Sequence, residues 1–181
     1  MNLPNLISLA RLLSVPVAVW LILEGRMSLA FWLFVAAGIS DAVDGFIAKH
    51  FDARSTLGSY LDPLADKALL VSVYVTLGHE GYMEIWLVIL VVSRDVMIIG
   101  GAILSLLLMD SFRIGPSTIS KINTAAQIGL AALILAKQGL GLDDHGTVMV
   151  LTLGVAATTV SSGTGYLISW FRQTAGVDGR S

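Results

Sequence analysis

The sequence predicts an all-α integral membrane protein of six transmembrane helices, and three observations predict it. Of 181 residues, 55% are hydrophobic and only 13% are charged, with a mean hydropathy of +0.81. The apolar residues fall into six runs, each near the roughly 20 residues that a spanning helix needs. Short connectors carrying Gly, Pro and charge separate the runs.

The first span, 4–24, opens on NLPNLISLARLLSVP and stops at Glu24-Gly25. The second, 28–49, is apolar until it reaches DAVDGFIAK. The third, 56–78, follows a solvated turn with Asp52 and Arg54, with Ser55 as its cap. Pro63 removes one backbone donor there and frees the carbonyl of Ser59 beside the acidic residues. A Gly78-His79-Glu80-Gly81 connector leads to the fourth span, 83–109, which contains SRDVM. The fifth, 117–138, begins after Gly115-Pro116 with SKINTAAQ, and the sixth, 146–171, follows the Gly139 to Gly146 connector. Residues 1–172 read as a single catalytic domain, and 173–181 as a polar, frayed C-terminal tail.

The composition removes several classes of function. A formal net charge of −2 offers nothing to nucleic acid. With no cysteine there is no disulfide, thiolate metal site or Cys nucleophile. No cleavable signal or transit peptide is expected ahead of the first apolar run. Six spans put both termini on one side, which holds Lys49, Arg54, Arg113, Arg172 and Arg180, against chiefly Arg26 and Lys137 opposite. That bias places both termini in the cytoplasm and suggests a bacterial inner (cytoplasmic) membrane protein. Tyr82 and Trp86 suit one interfacial belt and Trp170 the other. His50, His79 and His145 lie in or beside connectors, never at ligand spacing, and read as surface residues.

Carboxylates at membrane depth need a reason, since each costs about 2.5–3.5 kcal/mol on insertion scales. Asp41, Asp44, Gly45 and Ala48 share one helical stripe at the end of the second span. Gly58, Asp62 and Asp66, spaced by four, share a stripe on the third. Two helices joined by a short connector are antiparallel neighbours, so the stripes are expected to face each other near the cytoplasmic surface. Four converging carboxylates cannot all stay charged without cations. Oxygen ligands of this kind suit Mg²⁺ or Mn²⁺, which complete their shells with phosphate oxygens. Gly45, Ala48 and Gly58 would let a nucleotide diphosphate approach the backbone. A single intramembrane Asp is more often a packing residue, and a Gly/Ala stripe a packing seam, but four acids in register favour a ligand site. A divalent cation or proton transporter would explain the acids, but not the small residues beside them or Lys49.

The pattern Asp41-x2-Asp44-Gly45-x2-Ala48-Lys49-x8-Gly58-x3-Asp62-x3-Asp66 resembles the signature of the CDP-alcohol phosphatidyltransferase family. The opening Asn-x-Pro-Asn, with Asn5, then Arg11 and Pro16, resembles the family's N-terminal pattern, with Ser8 where Thr is common. Lys49 departs from it: the family usually has Arg, and Lys keeps the charge but loses the planar fork. The resemblance implies a six-helix membrane enzyme, usually a homodimer, with a cytoplasmic-facing active site. It implies that Asp41, Asp44 and Asp62 ligate two divalent cations gripping the diphosphate of a CDP-linked lipid. Gly45, Ala48, Lys49 and Gly58 would line the nucleotide. Asp66 would be the general base, and would also touch a metal. It would take the acceptor's proton before attack on the lipid-side phosphorus releases CMP.

Within that family, DPLADK, SRDVM and SKINTAAQ most resemble the cardiolipin synthases, which join CDP-diacylglycerol to phosphatidylglycerol. The phosphatidylglycerophosphate synthases, whose acceptor is glycerol 3-phosphate, tend to have Glu where Asp95 stands and Lys where Asn123 stands. Arg94, Lys121 and Arg11 are the cations expected to meet the acceptor phosphate, with Asn5, Asp95, Asn123, Thr124 and Gln127 in support. Arg94 and Asp95 point about 100° apart on a helix, so one is expected to serve the cavity and the other a neighbouring helix. Arg11 either faces the acids or a lipid phosphate, or snorkels to the cytoplasmic surface.

Overall fold

The computed structural model describes the backbone of residues 3–50, 58–108, 118–143 and 145–177, and the side chains of 9–41, 43, 65–101, 118–143 and 145–168. The described residues form six helices: α1 (Leu3–Leu23), α2 (Met27–His50), α3 (Gly58–His79), α4 (Ile85–Leu108), α5 (Thr118–Leu140) and α6 (Thr147–Val177). No strand occurs among the described residues. Each helix coincides with one expected apolar span, and the ends agree to within two residues except at the C-terminus of α6. There the helix continues to Val177, into the tail expected to fray. Arg172, Gln173, Thr174 and Ala175 contain no breaker, so backbone hydrogen bonding propagates beyond the apolar run.

The helix ends follow local chemistry. Gly25 (φ 70°) and Gly81 (φ 77°) adopt the left-handed conformation that L side chains avoid. Around Gly25, Arg26 N–H donates to the Leu21 carbonyl at 2.8 Å and Gly25 N–H to Ile22 at 3.0 Å. Around Gly81, Tyr82 N–H donates to Leu77 at 2.9 Å and Gly81 N–H to Gly78 at 3.2 Å. Both are Schellman closures that satisfy orphan carbonyls and turn the chain back sharply.

The chain forms two compact units, Met1–Glu84 with Ala131–His145, and Ile85–Leu130 with Gly146–Ser181. In the first, α1 packs closely on both α2 and α3. Ala18, Ile22, Val73, Tyr74, Leu77, Ala131 and Leu135 are at most 1% exposed there. Gly139 lies against the start of α2, where a Cβ would come within 2.5 Å of the Ser28 backbone nitrogen. In the second unit α4 packs on α6, and Leu87, Leu130 and Val155 are fully buried.

By length and composition, two described stretches can cross a membrane, Thr118–Leu140 and Thr147–Ile168, and shorter apolar ones run Leu9–Leu23 and Met27–Asp41. Large apolar side chains stay exposed along several helices, including Leu13 at 63%, Trp20 at 51%, Ile89 at 60% and Val150 at 70%.

Candidate active site

Arg11 and Asp41 lie at similar distances along the chain from the turn at Gly25, so antiparallel packing of α1 on α2 brings them level. Asp66, two turns into α3, reaches the same place because α1 also packs on α3. Arg11 Nη1 donates to Asp41 Oδ1 at 2.8 Å. The same nitrogen donates to Asp66 Oδ1. The guanidinium is buried, its side chain only 3% exposed, while the carboxylates are 48% and 39% exposed. A cation thus sits beneath two acids whose outer sides remain open. The choice between cavity and snorkelling for Arg11 is resolved in favour of the acids. The sequence offered that contact as one of two alternatives and did not show that one nitrogen would serve acids of both helices.

Among the described residues no group of three or more His, Asp or Glu comes together. The backbones of Asp44, Gly45, Ala48 and Lys49 continue α2, and those of Gly58 and Asp62 lie in the first turns of α3. The side chains of these six, and of Asn5, lie outside the described residues.

The second unit holds a different polar cluster. Arg94 Nη1 donates to Asp95 Oδ1 at 2.8 Å, both side chains at most 5% exposed. Arg94 Nη2 donates to Ser120 Oγ at 2.6 Å and to Ser162 Oγ at 2.5 Å. This corrects the expectation that Arg94 and Asp95 face apart. The Arg side chain is long enough to fold back across the 100° between neighbours, and burial rewards the pairing. One helical turn along α5 and α6, the fully buried Asn123 accepts at Oδ1 from Thr158 at 2.8 Å and Thr159 at 2.9 Å. Arg94 Nε and Asn123 Nδ2 are buried without a hydrogen-bond partner. Gln127 is likewise fully buried, and Thr124 returns its hydroxyl to the Ser120 carbonyl at 3.1 Å. Lys121 is exposed. Sequence reasoning overlooked Ser162, Thr158 and Thr159. The hydroxyl-rich ATTVSSGTGY inside an otherwise apolar span was the available signal.

The profile of the CDP-alcohol phosphatidyltransferase family matches residues 1–160. The chain belongs to that family. It is 35% identical over 181 residues to cardiolipin synthase (CMP-forming) of Homo sapiens, covering 91% of this chain and 60% of that protein. It is 35% identical over 188 residues to CDP-diacylglycerol–glycerol-3-phosphate 3-phosphatidyltransferase 1, chloroplastic, of Oryza sativa subsp. japonica, covering 94% of this chain and 57% of the relative. A probable phosphatidylglycerophosphate synthase of Mycobacterium tuberculosis is 27% identical over 183 residues, covering 97% and 85%. The chain therefore spans less than two thirds of the length of the human and rice relatives.

Proposed function

We propose that this chain is a membrane-embedded phosphatidyltransferase that joins CDP-diacylglycerol to phosphatidylglycerol, forming cardiolipin and CMP. The observation that carries the reading is the pair Asp41 and Asp66, drawn from two helices onto one nitrogen of Arg11 within the family's acidic signature. These two oxygens already converge closely enough to share a cation, and carboxylate oxygens are the donors that Mg²⁺ or Mn²⁺ prefers. Asp41 and Asp66 supply such donors among the described residues; a divalent pair would be held by Asp41, Asp44 and Asp62, with Asp66 also able to touch a metal. Such ions, when bound, would grip the diphosphate and offset charge at the attacking and leaving oxygens.

The chain's own residues do the rest. Gly45, Ala48 and Gly58 would let the nucleotide approach the backbone, and Lys49 would offer its phosphates a point charge. Asp66, half-exposed and fixed in direction by Arg11, accepts the proton of the acceptor hydroxyl. That oxygen then bonds to the lipid-side phosphorus as the bond to the CMP oxygen breaks. Of the three cations expected at the acceptor phosphate, Lys121 is exposed while Arg11 and Arg94 are buried on protein partners. Asn123 is bonded to Thr158 and Thr159 rather than adding a second charge beside Lys121. Of these three, Lys121 alone is exposed, and one such charge suits a phosphodiester better than dianionic glycerol 3-phosphate.

The exposed apolar faces support six membrane spans. The Lys/Arg bias supports cytoplasmic termini, a cytoplasmic-facing site and a bacterial inner membrane. A homodimer belongs to the same reading. A second reading, phosphatidylglycerophosphate synthase, is favoured by the rice relative, which equals the human one in identity. Purified protein in detergent, given CDP-diacylglycerol and labelled acceptors, separates the two. Cardiolipin is expected, with glycerol 3-phosphate a poor acceptor. Rapid phosphatidylglycerophosphate formation without cardiolipin would reverse the acceptor assignment and leave the phosphatidyl transfer intact.

A further inference from the structure

In the proposed chemistry Arg11 only fixes the direction of Asp66; its bond to Asp41 has no part there. Its side chain is 3% exposed, yet it donates from one nitrogen to two acids 30 and 55 residues away. It enters from the buried side, whereas both carboxylates open to the outside at 48% and 39% exposure. Without it, two acids on separate helices would meet with no cation between them among the described residues, an unfavourable like-charge arrangement in partly buried surroundings.

We propose that Arg11 is a built-in counter-ion that a divalent cation partly replaces: in the metal-free protein it offsets one of the two charges of Asp41 and Asp66 and ties α1 to α2 and α3. The inference rests on the metal reading above. A divalent ion on the same carboxylates experiences the guanidinium as a like charge, so the two compensate the same acids in opposition. Thermodynamic reciprocity then requires that removing one strengthens the other. Arg11 is a positioning residue in this account, acting through the carboxylates. It keeps the acidic pair assembled before metal arrives, and metal takes over part of that task.

The test compares wild type with Arg11→Met and Arg11→Lys, purified in detergent, by Mn²⁺ calorimetry and by thermal unfolding with chelator or saturating Mn²⁺. Arg11→Met is expected to bind Mn²⁺ about fivefold or more tightly than wild type, in line with typical coupling between sites. Its Tm is expected to fall more in chelator than in Mn²⁺, and Arg11→Lys should lie between the two proteins. A role in packing alone would lower Tm equally in both conditions and leave the Mn²⁺ Kd unchanged. Either that result or weaker Mn²⁺ binding by Arg11→Met overturns the proposal. If Arg11→Met unfolds in chelator, Arg11→Lys and Mn²⁺-loaded Arg11→Met still report the affinity. Wild type that binds no Mn²⁺ would remove the metal reading together with this one. Wild-type binding with an unchanged Kd in Arg11→Met would remove only this one.

Discussion

Arg11 and Arg94 are both buried arginines in apolar helices, and they are compensated in opposite ways. Arg11 reaches acids on two other helices, and those acids remain half-open. Arg94 pairs with its own neighbour Asp95 and also donates to Ser120 and Ser162, all within the second unit. The first arrangement leaves carboxylate surface for a ligand. The second encloses both charges and knits α4, α5 and α6. Charge inside a membrane-type helix is therefore not by itself a mark of chemistry; the exposure of its partner decides.

The largest effect should fall on the open cluster. Asp66→Asn keeps the size of the side chain and removes the proposed proton acceptor, so turnover should drop by about 10²–10⁴-fold with little change in CDP-diacylglycerol binding. Equal losses in binding and turnover would make Asp66 a ligand rather than a base. The closed cluster should respond in stability instead. Arg94→Met leaves Asp95 buried without its cation, and unfolding in detergent should show a loss of about 3–5 kcal/mol. Arg94→Met with Asp95→Leu should recover much of it. A stable Arg94→Met with a raised acceptor KM would instead return Arg94 to the substrate and break the comparison.

Smaller changes sharpen the same contrast. Thr159→Val removes one hydroxyl from Asn123 and should cost about 0.6–1.7 kcal/mol, the range for hydrogen bonds between membrane helices. Activity per folded molecule should stay near wild type. Lys121→Ala is the mildest: an exposed charge contributes about 0.2–1 kcal/mol. The KM for phosphatidylglycerol should therefore rise by about 1.4- to fivefold while that for CDP-diacylglycerol hardly moves. A larger effect on the nucleotide lipid would place Lys121 on the other substrate.

Helix positions were legible because apolar length and Gly-bearing turns fix them locally, as at Gly25 and Gly81. The end of α6 was not, because hydropathy marks a membrane boundary while the helix stops where hydrogen bonding does. The acidic pair was legible from spacing: Asp41 and Asp66 do converge. Their link through Arg11 was legible only as one of two alternatives, since one sequence does not say which face of α1 meets α2 and α3. The Arg94–Asp95 pairing was missed for a related reason. Cβ directions separate by 100°, but a guanidinium several bonds away is not bound by that angle. Hydroxyls at 158, 159 and 162 resemble ordinary small residues of a packed membrane helix until a partner appears opposite.

The account stands most directly on one titration: CMP release from CDP-diacylglycerol in the presence of phosphatidylglycerol, by wild type and Asp41→Asn, as Mn²⁺ is added to chelated protein. It predicts no release in chelator, saturable recovery in wild type, and a loss in Asp41→Asn at every Mn²⁺ concentration. Undiminished release in chelator, or wild-type rates from Asp41→Asn, would contradict it.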